Sequence, residues 1–322
     1  MPPLAIESER VNQLVAQLAL IGGPLGFVIL AASVAAAVVA VVPAWRRWVE
    51  PALWALTGLL VAGEALLCWF HWWLWQAAAI VDPLSGAITG RVAVPLWVES
   101  EKLYVWAIVV AVMTLCVRRH RAEMLPPLAA VTAVLAAGAI LIGKPFTEPL
   151  PQFMTMWEQY VAAMASGVPQ AAAGAYRGIT GSATYYYNAW FMWVHPPLLF
   201  ISYGAFVVSF VASSLMILRR RSSYEAVAYG WAKIGYLPLT LGMLLGFPWA
   251  LMSWQGEAWW WSGKVNMSIM MWLLYTAYLH GRLYLRRRGM WKVVVALAVL
   301  SFIALLLTYI TTYVVPGAHS VA

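Results

Sequence analysis

The stretch VVVALAVLSFIALLLTYITTYV, from Val293 to Val314, carries no charged side chain. A helix needs about 20 apolar residues to cross a hydrocarbon core, so this stretch reads as a membrane span. Lys292 and Arg286, Arg287 and Arg288 precede it, and Pro316-Gly-Ala-His319 follows it. Working outward with the same ruler gives candidate spans at 15–43, 51–80, 102–117, 126–143, 190–217, 228–252, 265–285 and 290–314. Composition agrees. Hydrophobic residues are 63% of the 322 and charged residues 10%, against about a quarter charged in a soluble domain. The surface must therefore face lipid. The expected fold is all-α, a polytopic transmembrane helical bundle of about eight spans forming one transmembrane domain over 1–322. The first residues hold Glu7, Glu9 and Arg10 without a basic leader and cleavage site, so the first span is expected to be retained. No strand pattern or internal repeat stands out.

Basic residues orient the spans. Fourteen of the 20 Lys and Arg lie between or beside the facing ends of spans 1 and 2, 3 and 4, 5 and 6, or 7 and 8, including Arg46, Arg118, Arg219 and Arg286. By the positive-inside rule, both termini are expected outside. The net charge of +8 then reads as topology, with no nucleic-acid partner. The outer side would hold the long loop 144–189 and a Trp-rich segment, 249–266. Within the loop, Phe153, Met156, Trp157, Tyr160, Val161 and Met164 follow helical spacing, which predicts an amphipathic helix on the membrane surface.

Cys68 and Cys116 fall inside spans, and no C-x-x-C-H, P-loop, dinucleotide fingerprint or zinc spacing is present. Five histidines remain. His195 opens span 5 and His319 follows span 8, both toward the outer face. His280 lies about 22 Å along span 7, beyond the midplane. His120 ends span 3 among arginines and fits either a ligand or a positive-inside cluster. His71 lies near the outer end of span 2, with the intramembrane carboxylate Glu64 on the same helical face as a potential partner. Imidazoles from two helices can bind opposite faces of a haem iron. Between His195 and His319 come Trp249, Trp254, Trp259, Trp260 and Trp261, part of a total of 20 Trp. Interfacial belts explain scattered Trp; a flat aromatic platform explains three in a row between two histidines.

At these residues the chain resembles a known family. His195-Pro-Pro-Leu-Leu-Phe-Ile-Ser-Tyr203-Gly204 is similar to the H-P-P segment of the CcmF haem lyases of cytochrome c maturation, and more loosely to that of CcsA. The segment Trp254 to Asn266 resembles their Trp-rich signature, W-G-x-x-W-x-W-D-P-x-E-N, with Ser262-Gly263 standing for Asp-Pro and Val265 for Glu. The resemblance implies a cytochrome c biogenesis protein of the inner membrane, with its functional face extracytoplasmic. It would hold b-type haem transiently and present it for attachment to apocytochrome c. It implies His195 and His319 as axial ligands of the iron, and Trp254, Trp259, Trp260, Trp261 and Asn266 as the platform. His280 would serve a second haem or an entry route; His120 and His71 complete the haem-binding candidates. Apocytochrome c, other maturation subunits or a haem-delivery protein, and the lipid membrane are the implied partners. Ligation of haem to apocytochrome c is the implied reaction, on this chain or on a partner. Two other readings stay open: a b-haem, quinol-reacting electron-transfer subunit, and a scaffold that binds partners without haem.

Overall fold

The computed structural model describes residues 3–118, 122–254, 259–284 and 290–315. They form helices α1 (Pro3–Val41), α2 (Val49–Ala77), α3 (Lys102–Arg118), α4 (Leu125–Gly138), α5 (Pro151–Ala165), α6 (Pro169–Ser182), α7 (Trp190–Arg219), α8 (Ser223–Ser253), α9 (Gly263–Gly281) and α10 (Met290–Val314). Among the described residues, 7 stretches are long and apolar enough to cross a membrane, those containing α1, α2, α3, α4, α7, α8 and α10. The chain is an all-α, multi-pass membrane protein. The remaining expected span, 265–285, is α9 followed by a 3-10 turn at Arg282–Tyr284, and it is not among those 7. Asn266, Ser268, Thr276 and His280 dilute its apolar character, and it packs along α10.

Two buried clusters divide the interior. One joins residues of α1, α2, α4 and α5; the other joins α7, α8, α9 and α10. Helix α3 is the wall between them. Tyr104, Ala107 and Ala111 face the first cluster, whereas Val105, Trp106, Val110 and Val117 face the second. A helix apolar on all sides belongs in such a position.

The helix expected within 144–189 is present as α5, but protein rather than lipid covers its apolar face. Phe153, Trp157 and Tyr160 are buried in the first cluster. The Tyr160 hydroxyl accepts from the Val81 N–H at 2.9 Å and donates to the Val81 carbonyl at 3.1 Å. This clamps a small antiparallel ladder, β1 (Ala79–Val81) with β2 (Ile88–Arg91). Strands this short carry no periodicity for a sequence reading to find.

The segment Trp97-Val-Glu-Ser-Glu-Lys102 joins the two halves. Trp97 and Glu99 hold left-handed backbone at φ 72° and 46°, a conformation costing about 1–2 kcal/mol for a residue with Cβ. Side-chain bonds hold it there. Glu99 Oε2 accepts the first N–H groups of α5, from Gln152 at 2.8 Å and Phe153 at 3.3 Å. Glu101 Oε2 accepts the Trp97 N–H at 2.8 Å, and its Oε1 meets His71 Nε2 at 2.7 Å. The other nitrogen of His71 donates to the Val94 carbonyl at 2.9 Å. With an acceptor on each nitrogen, the ring is satisfied as an imidazolium paired with a carboxylate. Gly143 completes the fit: a Cβ there would lie 2.6 Å from the Ser100 carbonyl oxygen.

Both partners of the His71–Glu101 pair are buried, so removing one leaves a charge without its counterpart. Glu101→Ala is expected to destabilise the protein by about 3–5 kcal/mol. The combined Glu101→Ala, His71→Ala variant should lose less than the sum of the two single changes. Thermal unfolding of the detergent-solubilised protein measures both; additive losses would contradict the pairing.

Candidate functional site

A cavity of about 240 Å³ opens where the start of α3, the start of α7, the end of α8, the start of α9 and the end of α10 converge. The arginines Arg118, Arg219 and Arg282 mark the opposite ends of α3, α7 and α9. The cavity therefore lies at the arginine-poor end of the bundle. Its wall is mostly apolar and aromatic, with Trp97, Tyr186, Phe247, Trp249 and Trp259, and its polar groups include His195, Lys102 and Lys264.

His195 is fixed from two sides. Its Nδ1 donates to the Gly242 carbonyl of α8 at 2.6 Å. A carbonyl only accepts, so Nδ1 carries the proton and Nε2 keeps a lone pair. No described residue bonds to that Nε2. The ring stacks against Trp249, with centroids 6.0 Å apart and planes 29° apart. Trp249 is held in turn by its indole N–H to the Tyr185 carbonyl at 3.2 Å. Gly246 makes the room: a Cβ there would sit 2.6 Å from Cε1 of the imidazole. Burial first, and then the Glu99 charge, push the phenols of Tyr186 and Tyr187 above their ordinary range. Both stay protonated, and Tyr187 donates to Glu99 Oε1 at 3.2 Å.

The tryptophans separate. Trp259 is buried on the cavity, edge-on to Phe247 with ring centroids 5.4 Å apart. Trp260 and Trp261 are exposed and do not line it. Trp254 packs edge-on to Trp249 at 4.7 Å. Asn266 is half-buried in the first turn of α9 and does not line the cavity. Ser262 caps α9, its Oγ accepting the Val265 N–H. The Asp and Glu of the Trp-rich signature would thus fall on the N-cap and third helical positions, the two posts of a capping box. Ser262 keeps the first post, and Val265, in place of the second, lines the cavity.

The other histidines lie elsewhere. His71 is committed to Glu101 and Val94, not to Glu64. Glu64 Oε1 instead accepts the indole N–H of Trp97 at 2.6 Å. His280 is exposed in the last turn of α9, with Nδ1 on the Thr276 carbonyl at 2.8 Å, at the far end from the cavity. His120 and His319 lie outside the described residues. The chain approaching His319 does leave from beside the cavity. Thr308 and Tyr309 line it, and Val315 approaches Gly263, where a Cβ would be 3.5 Å from Val315 Cγ1. Trp97, Glu101 and Lys102 were not among the expected site residues; the signals for them were a weak resemblance to the family over Trp97 to Glu101 and the clustering of charges at 99–102, just where a span begins.

Comparison with known proteins follows this geometry. A family model described as "Cytochrome C assembly protein" matches residues 96–319, more than half of the chain. The chain belongs to that family, and its role lies in cytochrome c biogenesis. Similar relatives include the cytochrome c-type biogenesis protein CycK of Bradyrhizobium diazoefficiens, 34% identical over 40% of this chain and 20% of the relative. Others are the cytochrome c-type biogenesis proteins CcmF of Haemophilus influenzae, 37% identical over 34% of this chain and 17% of the relative, and of Escherichia coli, 34% identical over 35% and 18%. The matched stretch is thus about a fifth of each of these relatives. No solved structure matches the chain.

The hydrogen bonds sort the histidines by reactivity. Diethyl pyrocarbonate acylates a neutral imidazole nitrogen, so His195 and His280 are expected to be modified and His71 spared. Peptide mass mapping of the solubilised protein reads this; modification of His71 as fast as His195 would contradict the assigned proton positions.

Proposed function

We propose that this member of the cytochrome C assembly protein family binds haem in the His195 cavity at the outer membrane face and presents it to apocytochrome c. The observation that carries the reading is the His195 imidazole itself. It lies on an aromatic, apolar wall with Nδ1 tied to Gly242 and Nε2 without a partner among the described residues. A neutral imidazole oriented through its second nitrogen is the donor that haem iron takes as an axial ligand. The residues present fit the group. Haem supplies an iron that accepts axial nitrogens and two vinyl groups to which cysteine thiols of a C-x-x-C-H partner can add.

Each side chain has a part. Gly242 and Gly246 set the tautomer and position of His195, and Trp249 fixes the plane of its ring. Trp259 and Phe247 exclude water beside it. Trp260 and Trp261, exposed next to Trp259, continue the platform outward toward an apocytochrome, with Trp254 and Asn266 at its two ends. His319 follows Val315 by four residues, a reach of roughly 14 Å at most, and would hold the iron together with His195. The partner's own histidine would replace one of the two when haem is handed over. His280, about 26 Å along α9 from Gly263, belongs to a separate step, an entry route or second haem. The arginine-poor end of the bundle is the outer face in this reading, with both chain ends on that side.

Protein purified from membranes is expected to show the absorption spectrum of a haem with two histidine ligands. His195→Ala should lower haem content at least about tenfold and reduce the yield of matured cytochrome c. A His195→Ala protein that retains haem and supports normal maturation would overturn the assignment.

A further inference from the structure

The cavity holds two cations that the fold does not use. Lys102 is the first residue of α3, and Lys264 is the second of α9. Both line the cavity with His195. Neither ammonium has a hydrogen bond or an ion pair with any described residue, whereas Lys144, on the outer loop, is paired with Glu148 at 2.6 Å. The carboxylate acting on Lys102 is Glu99, but its oxygens are committed to the Gln152 and Phe153 N–H groups and to Tyr187. Burial first, and then the Lys102 charge, hold the pKa of the Lys264 ammonium down to about 7. Each lysine also sits in the first turn of its helix, where the macrodipole favours negative charge. Two like charges on an apolar wall, at the wrong ends of two helices, work against stability. A ligand that brings negative charge removes all of these penalties together.

We infer that Lys102 and Lys264 receive the two carboxylates of a flat, apolar ligand whose centre lies against His195 and Trp249. The inference rests on the haem reading and deepens it: the ligand chemistry is a dicarboxylated macrocycle, and its acid groups enter between the starts of α3 and α9. Lys102 stands on α3, the wall shared by the two helix clusters, and Lys264 on α9, which packs only in the second. The ligand therefore also ties the two halves at the cavity.

The test uses the full chain in detergent, cleared of bound pigment, and four probes: haem b, its dimethyl ester, metal-free protoporphyrin IX and the dimethyl ester of that porphyrin. Haem binding is read from the Soret band and porphyrin binding from fluorescence. The diacids are expected to bind more tightly than the esters. Lys102→Met and Lys264→Met should each lower diacid affinity about tenfold, as for one hydrogen bond between charged groups. Neither should change ester affinity, and the double variant should bind acid and ester alike. Unchanged ester affinity also reports that the variants remain folded. Equal affinity of the wild type for acids and esters would overturn the inference while leaving the haem reading standing. Failure of every probe to bind would overturn both. Displacement of the diacids by phosphatidylglycerol at similar concentration would assign the lysines to a lipid phosphate and overturn the inference.

Discussion

The bond between Glu101 and His71 is the constraint on which the rest of the molecule hangs. It joins α2 to the entrance of α3 by a charged pair away from water, where an unmatched charge is most expensive. From the same short segment, Glu99 caps α5, and Ser100 approaches Gly143 and accepts the Leu150 N–H on its hydroxyl. Trp97 reaches Glu64 through its indole and also forms part of the cavity wall. One stretch of six residues, two of them left-handed, therefore fixes α2 and α5, the central wall and one side of the site. In a medium without water to solvate the backbone, such a stretch is tolerated only where every donor is met.

That arrangement explains why the cavity lies where it does. Helices α7, α8 and α9 alone supply His195, Trp249 and Lys264, a wall without an opposite face. Trp97, Val98 and Lys102 close the other side because the Glu101 bond holds them there. Helix packing in lipid lacks a hydrophobic drive between apolar faces. The polar anchors under the cavity carry the task of keeping the two halves in register.

The sequence revealed spans better than contacts. Apolar length and composition are local properties, and they locate α1, α2, α3, α4, α7, α8 and α10. His195 and Trp259 could be tied together because both were expected at the same face of the membrane, and the structure brings them to one cavity. Trp260 and Trp261 could not be separated from Trp259 by spacing, because a 3-10 turn sends adjacent side chains in different directions. The apolar face of α5 was ambiguous for a deeper reason: lipid and protein interior look alike to a hydrophobic pattern. The His71–Glu101 bond crosses 30 residues, and the convergence of Lys102 with Lys264 crosses the bundle. No periodicity reports a pair of that kind.

The Trp-rich signature changes meaning in this light. Its Asp and Glu stand where a capping box would stand, so their absence here alters the start of a helix before it alters any binding chemistry. Ser262 preserves the N-cap, and α9 still begins at Gly263 beside the end of α10. What does change is charge. Compared with that signature, the turn entering α9 carries two fewer anions, while Lys264 faces the cavity without an opposing carboxylate on the same turn. A field of that sign, in a site of low dielectric, selects for negative ligands and against cationic ones. The departures that make the motif look degraded as a sequence leave the start of the helix intact and shift the balance of charge beside the cavity toward the positive.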